Sequence, residues 1–218
     1  MGLDWNPGNR PLPGSEAEVA ELLAKFETSD GSAQQTLRDR FFALTEAALT
    51  VVDAPVVGRD PAADRWYLAA WRRINGRQAN EAPLPLDPEE GAALGSARGL
   101  HVLALAPDCD GLPVYSNAGI DPELEAVSFR AQFLTAAVEI IGDELLARAY
   151  RRMSAPQLLD YGETLLERAR LYAREHGCTE QEERRMPPEG DDGSPAARVH
   201  VVFAAAKWCR YWGARGFM

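Results

Sequence analysis

The sequence has few cysteines, an excess of acidic over basic residues and no long apolar run, and each of these argues against a class of protein. Its 218 residues include three cysteines, Cys109, Cys178 and Cys209, whose wide spacing indicates a reducing compartment rather than a disulfide framework. Basic side chains number 23 against 33 acidic ones, which gives a formal net charge of -10. This balance argues against a nucleic-acid or anionic-membrane partner, because phosphate binding depends on clustered Lys and Arg. No apolar run approaches the roughly 20 residues of a transmembrane helix.

The N-terminal residues 1–6 lack the pattern of a signal peptide, in which a basic stretch is followed by an apolar one. Their sequence argues against a signal peptide and, with the few cysteines, predicts a cytoplasmic protein. Among the basic residues 21 are Arg and 2 are Lys, a ratio that indicates the coding bias of a GC-rich bacterium. Arg, like the abundant Ala, Leu and Glu, favours helices.

Helical periodicity is present in most of the chain. Apolar residues recur at spacings of three and four between residues 19 and 74, and again from about residue 126. Residues 1–14 contain three prolines and are predicted to be irregular. Residues 178–194 are almost without apolar groups and are predicted to form an exposed acidic loop. We therefore predict a mainly α-helical, bundle-like single domain over residues 15–218.

Capping residues mark several helix boundaries. Ser15 and Glu18 have the spacing of a capping box. Asp60 precedes a proline that opens a helix through about Ile74, and Gly177 is predicted to end a later helix. The expected helix starts are Ser15, Asp30, Asp60, Asp87, Ser154 and Ser194.

The last predicted helix, which begins at Ser194, is apolar on nearly all sides. Such a helix lies at the centre of a bundle or is covered by a partner subunit, so a homodimer is one expectation. We place His200 on its narrow polar side. On the preceding helices, Gly142 is expected to cause a kink, and Gly162 is expected to let a neighbouring helix approach closely.

One small β-hairpin is predicted near residues 100–116. The apolar run His101–Ala106 and the short run Pro113–Ser116 are separated by a turn-rich loop containing Asp110 and Gly111. A run of six apolar residues also fits a buried helix fragment, which remains the alternative.

The motif Asp108-x-Asp110-Gly111 is similar to the first motif of the haloacid-dehalogenase-type phosphatases. The resemblance implies that Asp108 is the nucleophile, that Asp110 is the general acid and base, and that magnesium lies between carboxylate and phosphate. The remaining chain departs from that family: long helices follow, and Lys207 comes after the acidic pair at 191–192 rather than before it. A metal-dependent hydrolase is therefore an alternative function, and an ordinary hairpin turn is the simpler interpretation.

A small anion-binding pocket is the leading hypothesis for a site. If the chain from residue 126 is α-helical, Arg130 lies on an apolar stripe and points inward, where it needs a negative partner. Asp4, Asp108 and Asp110 are candidate partners, while an internal ion pair or an arginine that reaches solvent is the structural alternative. The predicted ligand-binding residues are Asp4, Trp5, Asn6, Asp108, Asp110, Tyr115, Asn117 and Arg130.

The sequence offers no motif for metal binding or nucleophilic catalysis. The three histidines and three cysteines lack ligand spacing, and neither a Gly-x-Ser-x-Gly elbow nor a Gly-rich phosphate loop occurs. We therefore predict no metal site and no catalytic residue, and the sequence names no cofactor. Aromatic clusters at 66–71 and 208–212 are interpreted as core stripes. The alternatives are a patch for single-stranded nucleic acid at the first cluster and a subunit interface at the second.

Three segments, Met1–Trp5, Asp110–Ser116 and Ser128–Leu134, resemble a group of bacterial proteins of uncharacterised activity. The resemblance implies no catalytic residue, but it covers the segments from which the predicted pocket is built. The sequence thus predicts a small-ligand-binding or protein-interaction module, with a small anionic ligand or another protein as its partner.

Overall fold

The computed structural model describes residues 3–26, 31–48, 52–77, 86–106, 127–191 and 193–217. Within these ranges the chain is mainly α-helical with one small antiparallel sheet, which confirms the predicted class. No helix in these ranges is long and apolar enough to cross a membrane. The elements are β1 (Arg10–Pro11), α1 (Glu16–Phe26), α2 (Gly31–Ala43), β2 (Thr45–Glu46), α3 (Pro61–Ile74), α4 (Pro88–Ser96), α5 (Val138–Ala149), α6 (Ala155–His176) and α7 (Pro195–Ala214), with 3-10 helices at Leu103–Leu105, Ala131–Ala137 and Thr179–Glu182.

Helices α6 and α7 form the centre of the fold as an antiparallel pair. A Cβ atom at Gly162 of α6 would lie 2.8 Å from the Cβ of Cys209, and one at Gly213 of α7 would lie 2.8 Å from the Cγ of Leu159. The start of α6 therefore faces the end of α7. The predicted role of Gly162 is confirmed, because the lack of a side chain lets the two helices approach closely.

Helix α7 is buried on nearly all sides, as its sequence predicts. It packs against α6 and against the 3-10 helices Ala131–Ala137 and Thr179–Glu182. The chain itself thus covers the apolar surface that favoured a homodimer, and that argument for a dimer no longer holds. Trp208, Tyr211 and Trp212 are buried, in agreement with their interpretation as core residues.

His200, which the sequence places on the narrow polar side of α7, is buried. Its side chain is 1% exposed. Burial lowers the pKa of His200 to about 4, because the charged imidazolium loses its hydration, and the positive charge of Lys207 acts in the same direction. The backbone of Arg184 and Arg185 lies against the imidazole, so the segment after α6 covers the narrow polar side of α7.

Residues 127–137 do not form the α-helix that their apolar spacing predicts. Phe129 exchanges two backbone hydrogen bonds with Trp5, both of 2.8 Å, and a 3-10 helix follows. Helix α5 begins only at Val138, and the predicted kink at Gly142 is confirmed by its φ of 78°. Pairing with the N-terminal segment overrides the local helical pattern.

The small sheet lies away from the predicted hairpin. β1 pairs with β2, and Arg10 is opposite Glu46. His101 forms an isolated bridge with Val56, and residues 103–105 form a 3-10 helix rather than a strand. Consecutive residues of a strand face opposite sides, whereas Val102 and Leu103 are both buried, which suits a turn inside the core. The predicted second strand, residues 113–116, lies outside the described residues.

Most other predicted helix boundaries agree with the structure. Helix α3 begins after Asp60 and ends at Ile74, and α6 ends at Gly177, which has a left-handed φ of 66°. Helices α4, α6 and α7 begin directly after Asp87, Ser154 and Ser194. Asp87 and Ser194 accept hydrogen bonds from backbone N–H groups of the first turn, whereas α3 begins with Pro61 at its first position and has no side-chain cap from Asp60.

The capping box predicted at Ser15 is wrong. The Ser15 hydroxyl lies 2.7 Å and 2.9 Å from the carbonyl oxygens of Leu12 and Leu44, to which it donates. Glu18 accepts hydrogen bonds from Arg40 of α2. Both groups connect distant segments instead of closing the first turn of α1.

The acidic segment 178–194 is largely exposed among its described residues, as predicted. Cys178 and Gln181 are exceptions, because both are buried beside the 3-10 helix Thr179–Glu182. Glu182 accepts hydrogen bonds from Arg170 of α6, which ties the beginning of the segment to the core.

A second, smaller cluster of buried apolar residues lies around α3 and α4, and it consists of Val57, Ala63, Ala97 and Val102. Trp66 and Tyr67 pack against it, which supports the core interpretation for these two residues, whereas Trp71 is half-buried and has the guanidinium carbon of Arg77 4.9 Å from its ring centroid. Beside it, Arg72 donates a 2.7 Å hydrogen bond to Glu90, and both side chains are buried.

Candidate functional site

The predicted pocket residues fall into three groups. Asp4, Trp5 and Asn6 line a cavity. Arg130 is exposed, so its predicted inward direction is wrong. The remaining four lie outside the described residues, and their convergence on the pocket stays a prediction: Asp108, Asp110, Tyr115 and Asn117.

The error at Arg130 has a physical cause. The inward direction follows only if the chain around residue 130 is an α-helix. Phe129 instead lies in an extended bridge with Trp5, and Arg130 immediately precedes a 3-10 helix. Adjacent residues of an extended segment point to opposite sides, so the fully buried Phe129 places Arg130 towards solvent.

A cavity of about 650 Å³ lies between the N-terminal segment, the pair α1–α2 and the link that joins α5 to α6. We call it the N-terminal cavity. Its volume is within the range of roughly 300–1,000 Å³ that is typical of small-molecule sites. Its aromatic lining residues are Trp5, Phe26, Phe41, Phe42, Tyr150 and Trp208.

Trp5 forms the fixed wall of the N-terminal cavity. Its Nε1 donates a 2.9 Å hydrogen bond to the carbonyl oxygen of Ala149, at the end of α5. Its ring centroid lies 5.3 Å from that of Phe129 and 5.5 Å from that of Trp208. These spacings suit tilted aromatic pairs, which add to the energy of burial. An irregular N-terminal segment is thereby held against the α6–α7 core.

The opposite wall comes from the pair α1–α2. Arg38, Phe41 and Phe42 of α2 are three and four residues apart and therefore share one helix face, which lines the cavity. Phe42 is 58% exposed. None of the described side chains of α2 is buried, so this helix covers the cavity while leaving much of its own surface in water.

The link between α5 and α6 forms the third side. Arg148 at the end of α5 donates a 2.7 Å hydrogen bond to Asp160 of α6, and it also reaches the carbonyl oxygen of Gln157. These contacts hold the two ends of the link together. Arg151 and Arg152 line the cavity from this link, and both are exposed.

The charged groups of the lining are predominantly positive. Arg38, Arg151 and Arg152 stand against one acidic side chain, the half-buried Asp4. Across the part of the chain that the structure describes, none of the three arginines forms an ion pair. The cavity thus combines an apolar interior with arginines that form no ion pair among the described residues.

The lining provides binding groups rather than reactive ones. Its described residues include no Ser, Thr, Cys, His or Lys, and Asp4 is the one carboxylate. Elsewhere in the described ranges, no group of three His, Cys, Asp or Glu side chains could hold a metal ion. The arrangement can enclose an apolar body and attract a negative group.

Sequence reasoning missed the wall formed by α2 and the link. The signals were weak: Phe42 is an apolar residue beside Phe41 in a helix that is otherwise largely polar, and Arg151 and Arg152 follow shortly after the end of α5. Their meeting with Trp5 depends on packing between segments that lie far apart in the sequence.

The chain was compared with protein-family models, curated proteins and solved structures. No protein-family model matches the chain, and no curated protein or solved structure matches it either.

Proposed function

We propose that the chain is a small-molecule-binding protein whose site is the N-terminal cavity. The observation that carries this proposal is a cavity of about 650 Å³ with six aromatic side chains in its lining. Aromatic and aliphatic linings with a few polar groups characterise ligand sites, because the apolar surface supplies affinity and the polar groups supply orientation.

The energetics of the exposed aromatic side chains support the proposal. Phe42 leaves more than half of its surface in water, and Phe26 and Phe41, whose ring centroids are 6.3 Å apart, are only partly buried. Each Å² of apolar surface removed from water contributes about 25 cal/mol. A ligand between these rings and Trp5 would cover their exposed apolar surface. Binding would then gain the free energy of removing that surface from water.

A neutral apolar dye, N-phenyl-1-naphthylamine, tests the proposal because its fluorescence increases in an apolar site. We expect saturable binding of one dye per chain. Phe42→Ala should weaken this binding about tenfold, since the substitution removes a large apolar contact on the cavity. Phe133→Ala is the matched control: Phe133 is 42% exposed but is not part of the lining, so the affinity should not change.

Two outcomes would contradict the proposal. The first is the absence of saturable dye binding to the folded wild-type protein. The second is equal weakening by both Phe→Ala substitutions, which would locate the dye on general apolar surface. Circular dichroism and a thermal melt of each variant show that the fold is retained.

A further inference from the structure

Three exposed arginines line the N-terminal cavity, and they come from two separate elements. Arg38 comes from α2, while Arg151 and Arg152 come from the link between α5 and α6. We call these three residues the arginine rim. They reach the same cavity from separate elements, and because all three are exposed their guanidinium groups lie where the cavity meets solvent.

The arginine rim differs from neighbouring arginines, which are paired. Arg40, two residues after Arg38, donates hydrogen bonds of 2.6 Å and 2.9 Å to Glu18. Arg148, three residues before Arg151, donates to Asp160 at 2.7 Å. Arg40 and Arg148 are thus held in ion pairs. The three arginines of the rim form no ion pair among the described residues.

This free positive charge is notable in a chain whose formal net charge is -10. Among its described residues the lining has three arginines and one acidic residue, Asp4, which gives these residues a formal charge of 3 − 1 = +2. A negative ligand group would therefore find a local attraction that the charge of the whole protein opposes.

We propose that the ligand is an organic carboxylate with an apolar body, aliphatic or aromatic. The apolar body lies between Trp5 and Phe42, and the carboxylate lies at the arginine rim. This inference rests on the proposed function of the cavity. The planar guanidinium group matches a carboxylate with two parallel N–H···O hydrogen bonds, and the carboxylate stays at the opening, where it remains partly hydrated.

Displacement of bound N-phenyl-1-naphthylamine tests the inference with two matched pairs of competitors. Decanoate is compared with decanamide, and 4-phenylbutyrate with 4-phenylbutyramide, so that each pair differs only in the charged group. For at least one pair, we expect the carboxylate to bind about tenfold more tightly than the amide, as for one charge-assisted hydrogen bond. The two pairs distinguish an aliphatic from an aromatic body.

Variants of the arginine rim make the test specific. In Arg38→Gln and in the double variant Arg151→Gln, Arg152→Gln, the preference for the carboxylate should fall to about threefold or less, with each acid and amide referred to the dye affinity measured for the same variant. Arg168→Gln is the matched control, because Arg168 is an exposed arginine of α6 outside the lining. This control should retain the full preference.

The outcomes separate the inference from the proposed function. If the dye binds but acids and amides displace it equally, the carboxylate assignment is wrong and the cavity remains a ligand site. A preference that Arg168→Gln reduces as much as the rim variants would also overturn the assignment, since it would reflect overall charge. Decyl phosphate displacing the dye much more tightly than decanoate would replace carboxylate by phosphate. Failure of the dye to bind overturns the proposed function itself.

Discussion

The pairs α6–α7 and α1–α2 are both built from packed helices, yet they bury their side chains very differently. In α6–α7 the backbones approach at Gly162 and Gly213, and α7 is buried on nearly all sides. In α1–α2 the described side chains of α2 are half-buried or exposed. The two pairs therefore differ in role: α6–α7 stabilises the fold, and α1–α2 leaves apolar surface that a ligand could cover.

The largest expected difference between the two helix pairs is in the free energy of unfolding lost when a Phe is replaced by Ala. Phe203 of α7 is 1% exposed, and Phe203→Ala should lower the free energy of unfolding by about 3–5 kcal/mol because it leaves a cavity in the core. Phe42→Ala in α2 should change it by about 0.5 kcal/mol or less, since Phe42 is largely in water. Urea unfolding measures both values. Similar losses for the two variants would contradict the comparison.

The core should also make stability depend on pH through His200. Its pKa in the fold is about 4, below the ordinary 6.5 of the unfolded chain. As pH falls below 6.5, the unfolded state therefore takes up the proton first, and the fold loses about 1.4 kcal/mol per pH unit, or roughly 3 kcal/mol by pH 4.

Urea unfolding between pH 7 and about pH 5 isolates this effect. The carboxylates with lowered pKa values, such as Glu139 and Glu182, lose their stabilising contribution only at lower pH. In His200→Gln the free energy of unfolding should vary much less over this interval, whatever its absolute value. An unchanged slope in the variant would show that His200 is not responsible.

A smaller difference is expected from glycine substitutions. Gly162→Ala places a Cβ 2.8 Å from Cys209 and 3.2 Å from the carbonyl oxygen of Ala206, and we expect a loss of about 1–2 kcal/mol. Gly91→Ala in α4 meets nothing within 4 Å and should stabilise the fold by about 0.5–1 kcal/mol through helix propensity. Thermal melts with opposite shifts would confirm the tight contact between α6 and α7. A stabilising shift in Gly162→Ala would refute it.

The sequence predicts well the elements whose ends are decided locally. Ser194 marks a helix start and Gly177 marks a helix end through groups within one turn, and Pro61 after Asp60 is an equally local start signal. Ser15 has the same appearance but bonds to Leu44, and Phe129 sits in a helical pattern but pairs with Trp5. Contacts with residues that are distant in the sequence determine the structure at Ser15 and Phe129. The sequence alone does not reveal those contacts.

The candidate site was only partly predictable for the same reason. The N-terminal residues Asp4, Trp5 and Asn6 do line the cavity, although Arg130, the residue that led to them, does not point inward. The other walls require knowing that residues 38–42 and 150–153 meet the N-terminal segment. Long-range packing, rather than any motif, brings them together.

Hydrogen–deuterium exchange of the full chain with and without decanoate tests the central claim most directly. The account predicts slower exchange in residues 16–26, 31–43 and 150–153 when decanoate is present, because a bound ligand joins the loosely packed wall to the core. Exchange in the middle of α6 and α7 should hardly change. Protection confined to other segments at decanoate concentrations that displace the dye would contradict the assignment of the N-terminal cavity as the site.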